Sequence, residues 1–354
     1  MTPLAKILHR RISATSPITI ADFMAECLLH PEHGYYTTRD PFGRGGDFTT
    51  APEISQMFGE LVGLALAQSW IDQGQPPAFA LAELGPGRGT LMADVLRATR
   101  AVPGFHTAMQ LHLVEASGVL RARQKETLSQ YRVDWLDTAG ALPPLPLFLI
   151  ANEFFDALPI RQFRRDKAGW REIHVAATPK GLGFGLTAPV PVDMLDHRLA
   201  DTRPGDIVEI RPSAGPIIAT IASRIARFGG CALVFDYGDW RSLGDTLQAL
   251  RNHAPEPPLE NPGEADLTAH VDFQALAEAA AGTVEAAVTT QGEFLQRLGL
   301  AQRAQALAAN LSGDRLREHE AAYHRLTAPA QMGTLFKAFA LHPKTAPRPP
   351  GFEP

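Results

Sequence analysis

The segment 80–90 constrains the fold of this chain more than any other part of the sequence. An apolar run ends in three glycines at alternate positions, Gly85, Gly87 and Gly89, and a helical pattern begins at Thr90. Glycine permits a sharp turn and a close approach of the backbone to a ligand, and the N–H groups at the start of a helix point toward that ligand. The segment therefore predicts a buried strand, a ligand-binding loop and a helix, which together form one unit of a parallel α/β sheet.

Two acidic residues decide which ligand this glycine loop favours. Glu83 precedes the first glycine, and Glu115 follows the next strand-like run, residues 109–114. The spacing G-x-G-x-G differs from the dinucleotide pattern G-x-G-x-x-G, which has an acidic residue about 20 positions further on. A carboxylate at a strand end can accept both hydroxyls of a ribose, and a second carboxylate can face a cation. S-adenosylmethionine has one ribose, an ammonium group and no phosphate, so the pattern favours this cofactor.

Strand and helix patterns alternate after residue 78 as a doubly wound sheet requires. The runs 160–175 and 181–186 instead resemble an antiparallel ribbon inserted into that core. The sequence therefore predicts an α/β, Rossmann-like sheet with an N-terminal helical region and an inserted antiparallel β segment. The predicted divisions are a helical region with a glycine-rich loop at 1–78, a core at 79–341 with an insertion at about 157–212, and a Pro-rich tail at 342–354.

Local patterns give the individual elements. Apolar periodicity predicts helices over 20–29, 54–73, 90–100, 119–128, 214–228, 273–281, 293–298 and 300–311. Strands are predicted over 79–84, 110–114, near 133, and over 147–151, 232–235, 284–289 and 334–341. Residues 251–266 are predicted to form a mobile loop, and the chain is predicted to fray from residue 343 because it is rich in proline.

Composition and charge exclude several classes of protein. A net charge of −5 gives no general attraction to nucleic acid or to an anionic membrane. We find neither a membrane span nor a secretory signal, so we expect no membrane insertion. Cys27 and Cys231 stand far apart without ligand-like neighbours, so we expect neither a disulfide nor a metal site. The low cysteine content is typical of the cytoplasm, where we expect the protein to work.

A second motif, residues 152–159, directly follows the predicted strand 147–151. Amino-group methyltransferases commonly carry Asn or Asp, two prolines and an aromatic residue there. Here Asn152 holds the first place, and Glu153 replaces a proline. We expect Asn152 to border the cofactor, and Glu153, followed by Asp156, to face a cationic acceptor. The alternative is that the two carboxylates only cap the following turn.

A third motif is the glycine-rich loop 42–52, which contains Asp47. It superficially resembles the Gly-Gly-Asp-Glu-Phe signature of cyclic-dinucleotide synthases, but it lacks the glutamate and precedes a helix. The glycines would allow this loop to approach the ligand as a lid, in which case Asp47 is an active-site carboxylate. A plain connecting loop is the alternative.

Four motifs in this order resemble the MidA-like family of class I methyltransferases: residues 45–60, 83–90, 152–159 and 236–238. The resemblance extends from about residue 15 to 340. It implies the class I methyltransferase fold with S-adenosylmethionine as cofactor. The mitochondrial members of the family assist the assembly of respiratory complex I and dimethylate an arginine of one of its subunits symmetrically. The resemblance therefore implies a protein substrate, either a complex I subunit or a similar protein.

The resemblance implies an arginine methyltransferase, and such an enzyme must align its substrates and exclude water. Because arginine stays protonated, carboxylates must hold the guanidinium, and we expect Glu153 first, then Asp47 and Asp156. The expected cofactor-binding residues are Glu83, Gly85, Gly87, Gly89, Glu115 and Asn152. Three alternatives remain: a small-molecule N- or O-methyltransferase, a non-catalytic assembly chaperone that binds S-adenosylmethionine, and a dehydrogenase.

Overall fold

The structure is a computed structural model, and it describes residues 1–38 and 50–353. The helices are α1 (Pro3–Ala14), α2 (Ile20–Leu29), α3 (Tyr35–Thr38), α4 (Ala51–Ile54), α5 (Gln56–Asp72), α6 (Thr90–Thr99), α7 (Phe105–Ala108), α8 (Gly118–Thr127), α9 (Ala214–Phe228), α10 (Phe273–Ala280), α11 (Gln291–Arg297), α12 (Leu300–Ala308) and α13 (Gly313–Thr327). The strands are β1 (Ile18–Thr19), β2 (Phe79–Leu84), β3 (Met109–Val114), β4 (Val133–Leu136), β5 (Leu147–Asn152), β6 (Arg161–Asp166), β7 (Gly169–Thr178), β8 (Gly181–Leu186), β9 (Ile207–Ile210), β10 (Gly230–Asp239), β11 (Gln248–Arg251), β12 (Ala254–Glu256), β13 (Asp266–Thr268), β14 (Val271–Asp272), β15 (Glu285–Thr290) and β16 (Phe336–His342).

The central sheet has the strand order β4-β3-β2-β5-β10-β16-β15. The first five of these strands run parallel, whereas β16 is antiparallel to both of its neighbours. From β2 the chain passes outward through β3 to β4 and then returns to β5 on the other side of β2. The carboxyl ends of β2 and β5 therefore border the crevice where open α/β sheets bind their ligands. This arrangement confirms the predicted Rossmann-like fold.

Helices cover both faces of this sheet. Every residue of β2 and β5 is buried, as expected for strands of a parallel sheet with two covered faces. One face packs against α5, α6, α11 and α12, and the other packs against α9 and α10. The sheet is therefore a rigid base that positions the side chains at its carboxyl edge.

The N-terminal segment packs against the inserted ribbon. At the start of α2, Thr19 and Asp22 form a capping box, in which each side chain accepts from the backbone N–H of the other residue. β1 pairs with β7 in a sheet of order β1-β7-β6-β9, and β8 pairs with the same β7. Buried side chains join α1 and α2 to this ribbon and to β13. The ribbon and the N-terminal helices therefore form one wall beside the loop that follows β5.

The structure differs from the predictions in several segments. The helix predicted over 54–73 is divided at Ser55, whose extended backbone separates α4 from α5 and whose Oγ accepts from the Met57 N–H. The predicted mobile loop 251–266 contains β12, which joins β11 and β13 in a small antiparallel sheet. The tail packs against the body, because the ring of Phe352 is buried with its centroid 5.3 Å from that of Phe294.

Helices α5 and α6 pack so closely that the contact requires glycine. A Cβ atom on Gly63 would lie 2.9 Å from the Val95 Cα atom. We expect Gly63→Ala to lower the free energy of unfolding by about 1–3 kcal/mol, because the helices must move apart. This loss exceeds the gain of up to about 1 kcal/mol that alanine brings to a helix interior. Chemical denaturation measures the difference.

Gly118 in α8 provides the matched control for this substitution. A Cβ atom there would meet nothing within 4 Å, so Gly118→Ala should leave the free energy of unfolding unchanged or raise it. If Gly63→Ala and Gly118→Ala were equally stable, the close contact between α5 and α6 would not limit stability.

Candidate active site

The glycine loop between β2 and α6 has the geometry that its sequence predicts. Gly85, Gly87 and Gly89 have φ angles of 60°, 54° and 81°, in the left-handed region that favours glycine. The Gly85 N–H donates to the Val114 carbonyl at 3.0 Å, which fastens the loop to the end of β3. A Cβ atom on Gly85 would lie 2.8 Å from the Phe154 ring. The loop is therefore compact and adjoins the segment that follows β5.

Glu115 is buried at the end of β3, and protein groups hold both of its carboxylate oxygens. Oε1 accepts from the Ser117 N–H at 2.8 Å, and Oε2 accepts from Gln124 Nε2 at 3.2 Å. Gln124 Nε2 also donates to the Gly87 carbonyl at 2.8 Å, and Gln124 Oε1 accepts from Trp135 Nε1 at 2.9 Å. Gln124 thereby fixes Glu115, the glycine loop and β4 relative to one another.

Gln124 was not predicted as a site residue. Its signal is a polar residue on the buried side of the predicted helix 119–128, where Gln124 is fully buried beside Leu120. A buried amide needs partners for its donors and its acceptor, and those partners turn out to be the ligand-binding segments.

Two buried oxygens beside the glycine loop lack a hydrogen-bond partner among the described residues. They are Glu83 Oε2 and Asn152 Oδ1, at the carboxyl ends of β2 and β5. Burial first, and then the charge of Glu115, raise the pKa of Glu83 to about 8. A buried, unpaired acceptor is costly unless a donor reaches it. The pair therefore suits a cationic ligand group that carries N–H donors.

Two adjoining cavities surround the loop. The smaller, of about 40 Å³, includes Glu83, Asn152 and the loop among its lining residues. The larger, of about 340 Å³, has mainly apolar walls and lies within the usual size range of small-ligand sites. Gly85, Gly87 and Glu153 line both cavities. Further residues of the larger cavity are Leu28, Tyr36, Glu115, Asp137, Phe154 and Ile217.

The residues of the two cavities fit S-adenosylmethionine. Glu115 would accept the ribose hydroxyls, while Glu83 and Asn152 would accept from the ammonium group. The apolar walls of the larger cavity would enclose the adenine.

Binding of S-adenosylmethionine is expected to release close to one proton at pH 7. Free Glu83 is mostly protonated there because its pKa is about 8, and an adjacent ammonium group would lower that pKa and ionise the carboxyl. Calorimetry in buffers with different ionisation enthalpies measures the number of protons released. Glu83→Gln should remove most of the release. A binding heat that is the same in every buffer would contradict this assignment.

Glu153 follows β5 and has a φ of 50°, which is unusual for a residue with a side chain. Its Oε1 accepts from the Ala51 N–H and from Asn152 Nδ2, both at 3.2 Å. Burial first, and then the charge of Asp156, raise the pKa of Glu153 to about 8. Left-handed backbone at such a residue costs of order 1–3 kcal/mol and persists where the surroundings impose it, often at functional sites. The carboxylate therefore stands in a constrained position beside the glycine loop.

The other two predicted acceptor carboxylates are those of Asp47 and Asp156. Asp47 lies outside the described residues. Asp156 is buried, and its Oδ1 accepts from the Ala157 N–H at 2.8 Å. Burial raises the pKa of Asp156 to about 6, although the neighbouring charge of Arg211 lowers it. Asp156 thus belongs to a buried cluster with Arg211 and Asp236.

Glu53 of α4 was not predicted as a site residue. It lines the smaller cavity together with Glu153, and its Oε1 accepts from Thr90 Oγ1 at 2.7 Å. In the sequence, Glu53 is recognisable only as a residue at the start of a helix. Its contact with Thr90 could not be predicted from the sequence.

The described residues contain neither a cluster suited to a metal ion nor a helix suited to cross a membrane. Within residues 1–38 and 50–353, no group of three or more His, Cys, Asp or Glu side chains is arranged to hold a metal ion. None of the helices in these ranges combines the length and the apolar character that crossing a membrane needs.

Comparisons with known proteins show the family to which the chain belongs. Residues 61–291 match the model of a family described as S-adenosyl-L-methionine-dependent methyltransferases. The Mus musculus and Homo sapiens proteins named "Protein arginine methyltransferase NDUFAF7, mitochondrial" are each 37% identical over 97% of this chain, with 85% and 84% of their own lengths covered. A Burkholderia thailandensis protein crystallised with S-adenosyl-homocysteine superposes with a TM-score of 0.83 at 30% identity, over 98% of this chain and 93% of that one. The chain belongs to the MidA-like family of methyltransferases, whose cofactor is S-adenosylmethionine.

Proposed function

We propose that this methyltransferase transfers a methyl group to the guanidinium of an arginine side chain in a protein. The observation that carries the proposal is Glu153, a carboxylate held in a strained turn where the two cavities meet. The names of the mouse and human relatives support the same acceptor. A guanidinium presents its N–H donors in a planar fork that a carboxylate matches.

Glu153 would both hold the acceptor and accept its proton. Arginine is protonated at any working pH, so the guanidinium must be held by an anion and must lose one proton as it becomes methylated. S-adenosylmethionine, when bound, would supply an electrophilic methyl group on a sulfonium sulfur, and the sulfur would keep the electron pair of the methyl–sulfur bond that breaks. A Glu153 carboxylate oxygen would take the proton that the attacking nitrogen gives up as its new bond to carbon forms, and would then pass it to water. A carboxyl whose pKa lies near 8 is suited to this task.

Other residues would support the reaction without receiving the proton. Glu83 and Asn152 would hold the ammonium end of the cofactor, and Glu115 its ribose. Asp47 stays a proposed second carboxylate at the acceptor. We propose that Asp156, buried beside Arg211, acts through the turn that carries Glu153.

The family resemblance also suggests which protein carries the arginine and where in the cell the enzyme works. We propose that the acceptor is a subunit of respiratory complex I or a similar protein. We propose that the enzyme works in the bacterial cytoplasm, or in the mitochondrial matrix if the chain is eukaryotic. The names of the mouse and human relatives include the word mitochondrial, which supports the second location for a eukaryotic chain.

Labelling with tritiated S-adenosylmethionine tests the acceptor class. The purified protein is incubated with the labelled cofactor and a cell extract, and labelled proteins are digested and mapped by mass spectrometry. The expected result is label on an arginine, formed about 100-fold or more slowly when Glu153→Gln replaces the wild type. Label confined to small metabolites or to nucleic acid would overturn the proposal.

A further inference from the structure

Asp236 fastens the turn that carries Glu153. It is fully buried near the carboxyl end of β10, the strand beside β5. Its Oδ2 accepts from the backbone N–H groups of Phe155 and Asp156, at 3.0 and 3.2 Å. Its Oδ1 accepts from the Tyr237 N–H at 3.1 Å. One carboxylate thus connects the end of β10 to two consecutive residues of the turn.

The backbone adds a further connection at the start of the turn. The Glu153 N–H donates to the carbonyl of Phe235, the residue before Asp236, at 2.8 Å. Strand β10 therefore holds the turn at three residues: Glu153, Phe155 and Asp156.

Arg211 secures the far side of the turn. Its guanidinium donates to the carbonyls of Leu158 and Ala269, at 3.2 and 2.9 Å. The Ala269 N–H in turn donates to the Asp156 carbonyl at 3.1 Å. Burial first, and then the charge of Asp156, raise the pKa of Asp236 well above its usual range, and the charge of Arg211 opposes this rise. The turn is therefore held between β10 and the segment 268–271.

The conformation of Glu153 explains why such support is needed. A glutamate with a φ of 50° relaxes to an ordinary conformation unless its neighbours prevent it. Relaxation would swing the carboxylate away from the cavities, and a displacement of about 1 Å at a reacting centre can lower a rate about 100-fold.

We propose that Asp236 is a positioning residue for methyl transfer, because its two hydrogen bonds to the turn 153–156 hold the Glu153 carboxylate at the acceptor. The inference rests on the proposed role of Glu153. Asp236 acts through the turn and does not itself contact the acceptor or the cofactor.

Asp236→Asn tests the proposal, because both carboxylate oxygens accept from backbone N–H groups and an amide would turn its NH2 toward one of these donors in either orientation. Asp272→Asn is the matched control. Asp272 also accepts from two backbone N–H groups, those of Ala275 and Ser242, at 2.9 and 3.1 Å, but it caps α10 and does not reach the turn. Transfer of tritium from labelled S-adenosylmethionine to extract protein is measured at saturating cofactor. We expect Asp236→Asn to lower the maximal rate about 10- to 100-fold with an unchanged Kd for the cofactor, and Asp272→Asn to keep the wild-type rate.

A double-mutant cycle separates positioning from a general structural role. If Asp236 acts through Glu153, adding Asp236→Asn to Glu153→Gln should lower the rate no further. Losses that multiply would overturn the proposal, as would a wild-type rate for Asp236→Asn alone. If Asp236→Asn does not fold, Arg211→Lys replaces it, because it loosens the same turn and leaves both carboxylates in place.

Labelling of arginine by the wild type distinguishes failure of the proposed function from failure of the positioning role of Asp236. If the wild type labels no arginine, the proposed function fails and the inference fails with it. If the wild type labels arginine and Asp236→Asn does so at the same rate, only the positioning role fails.

Discussion

Glu153→Gln is expected to lower methyl transfer about 100-fold or more, while the Kd for S-adenosylmethionine changes by less than about threefold. Glutamine keeps the shape of the side chain and can still accept from the Ala51 N–H, so the turn should remain in place. It cannot carry the negative charge that holds a guanidinium, nor take its proton. Loss of a positioned acid or base typically costs a factor of about 10²–10⁴. Single-turnover labelling and calorimetry measure the two quantities.

The pH dependence gives this first prediction an independent signature. The ionised form of Glu153 binds the protonated acceptor, and its pKa in the free enzyme is about 8. The value of kcat/KM for the acceptor should therefore rise about tenfold per pH unit below pH 8 and level off above pH 8. The Glu153→Gln variant should lack this rise. If the variant retained more than half of the wild-type rate, Glu153 could not be the acceptor carboxylate.

Glu115→Ala is expected to weaken S-adenosylmethionine binding by a factor of roughly 10²–10⁴. The carboxylate would accept two ribose hydroxyls, and each charged hydrogen bond contributes about 1.5–3 kcal/mol. The substitution also removes the acceptor of the Ser117 N–H and one partner of Gln124, so the adjacent loop loses support. Calorimetry measures the Kd.

The matched control for this second prediction lies on the same helix, α8. Glu126 is exposed, and among the described residues its salt bridge is with Arg123. Glu126→Ala should therefore leave the Kd for S-adenosylmethionine unchanged. If Glu115→Ala bound the cofactor within threefold of the wild type, the ribose would have to lie elsewhere.

The sequence predicts the part of the site that local patterns encode. The glycines of the loop need left-handed backbone, and Glu83 and Glu115 stand where consecutive parallel strands end. Because such ends meet at one edge of a sheet, spacing along the chain is enough to bring these residues together. The structure places both carboxylates within the cavities around the loop.

The support around Glu153 could not be predicted in this way. Asp236 and Arg211 reach the turn from segments that are 80 and more than 50 residues away, so their contacts depend on tertiary packing. Helix α13 was missed for another reason. It is charged and mostly exposed, with Leu326 as its buried residue, so it lacks the apolar stripe that marks a surface helix.

The left-handed backbone at Glu153 also has an evolutionary consequence. Glycine would adopt that conformation without strain and would remove a buried carboxyl, so mutation toward glycine should stabilise the fold at the expense of the reaction. Selection for catalysis is what would retain glutamate there. A relative with glycine at this position would be expected to keep the architecture while having given up methyl transfer, so this one site offers a way to separate enzymes from descendants that have lost the activity.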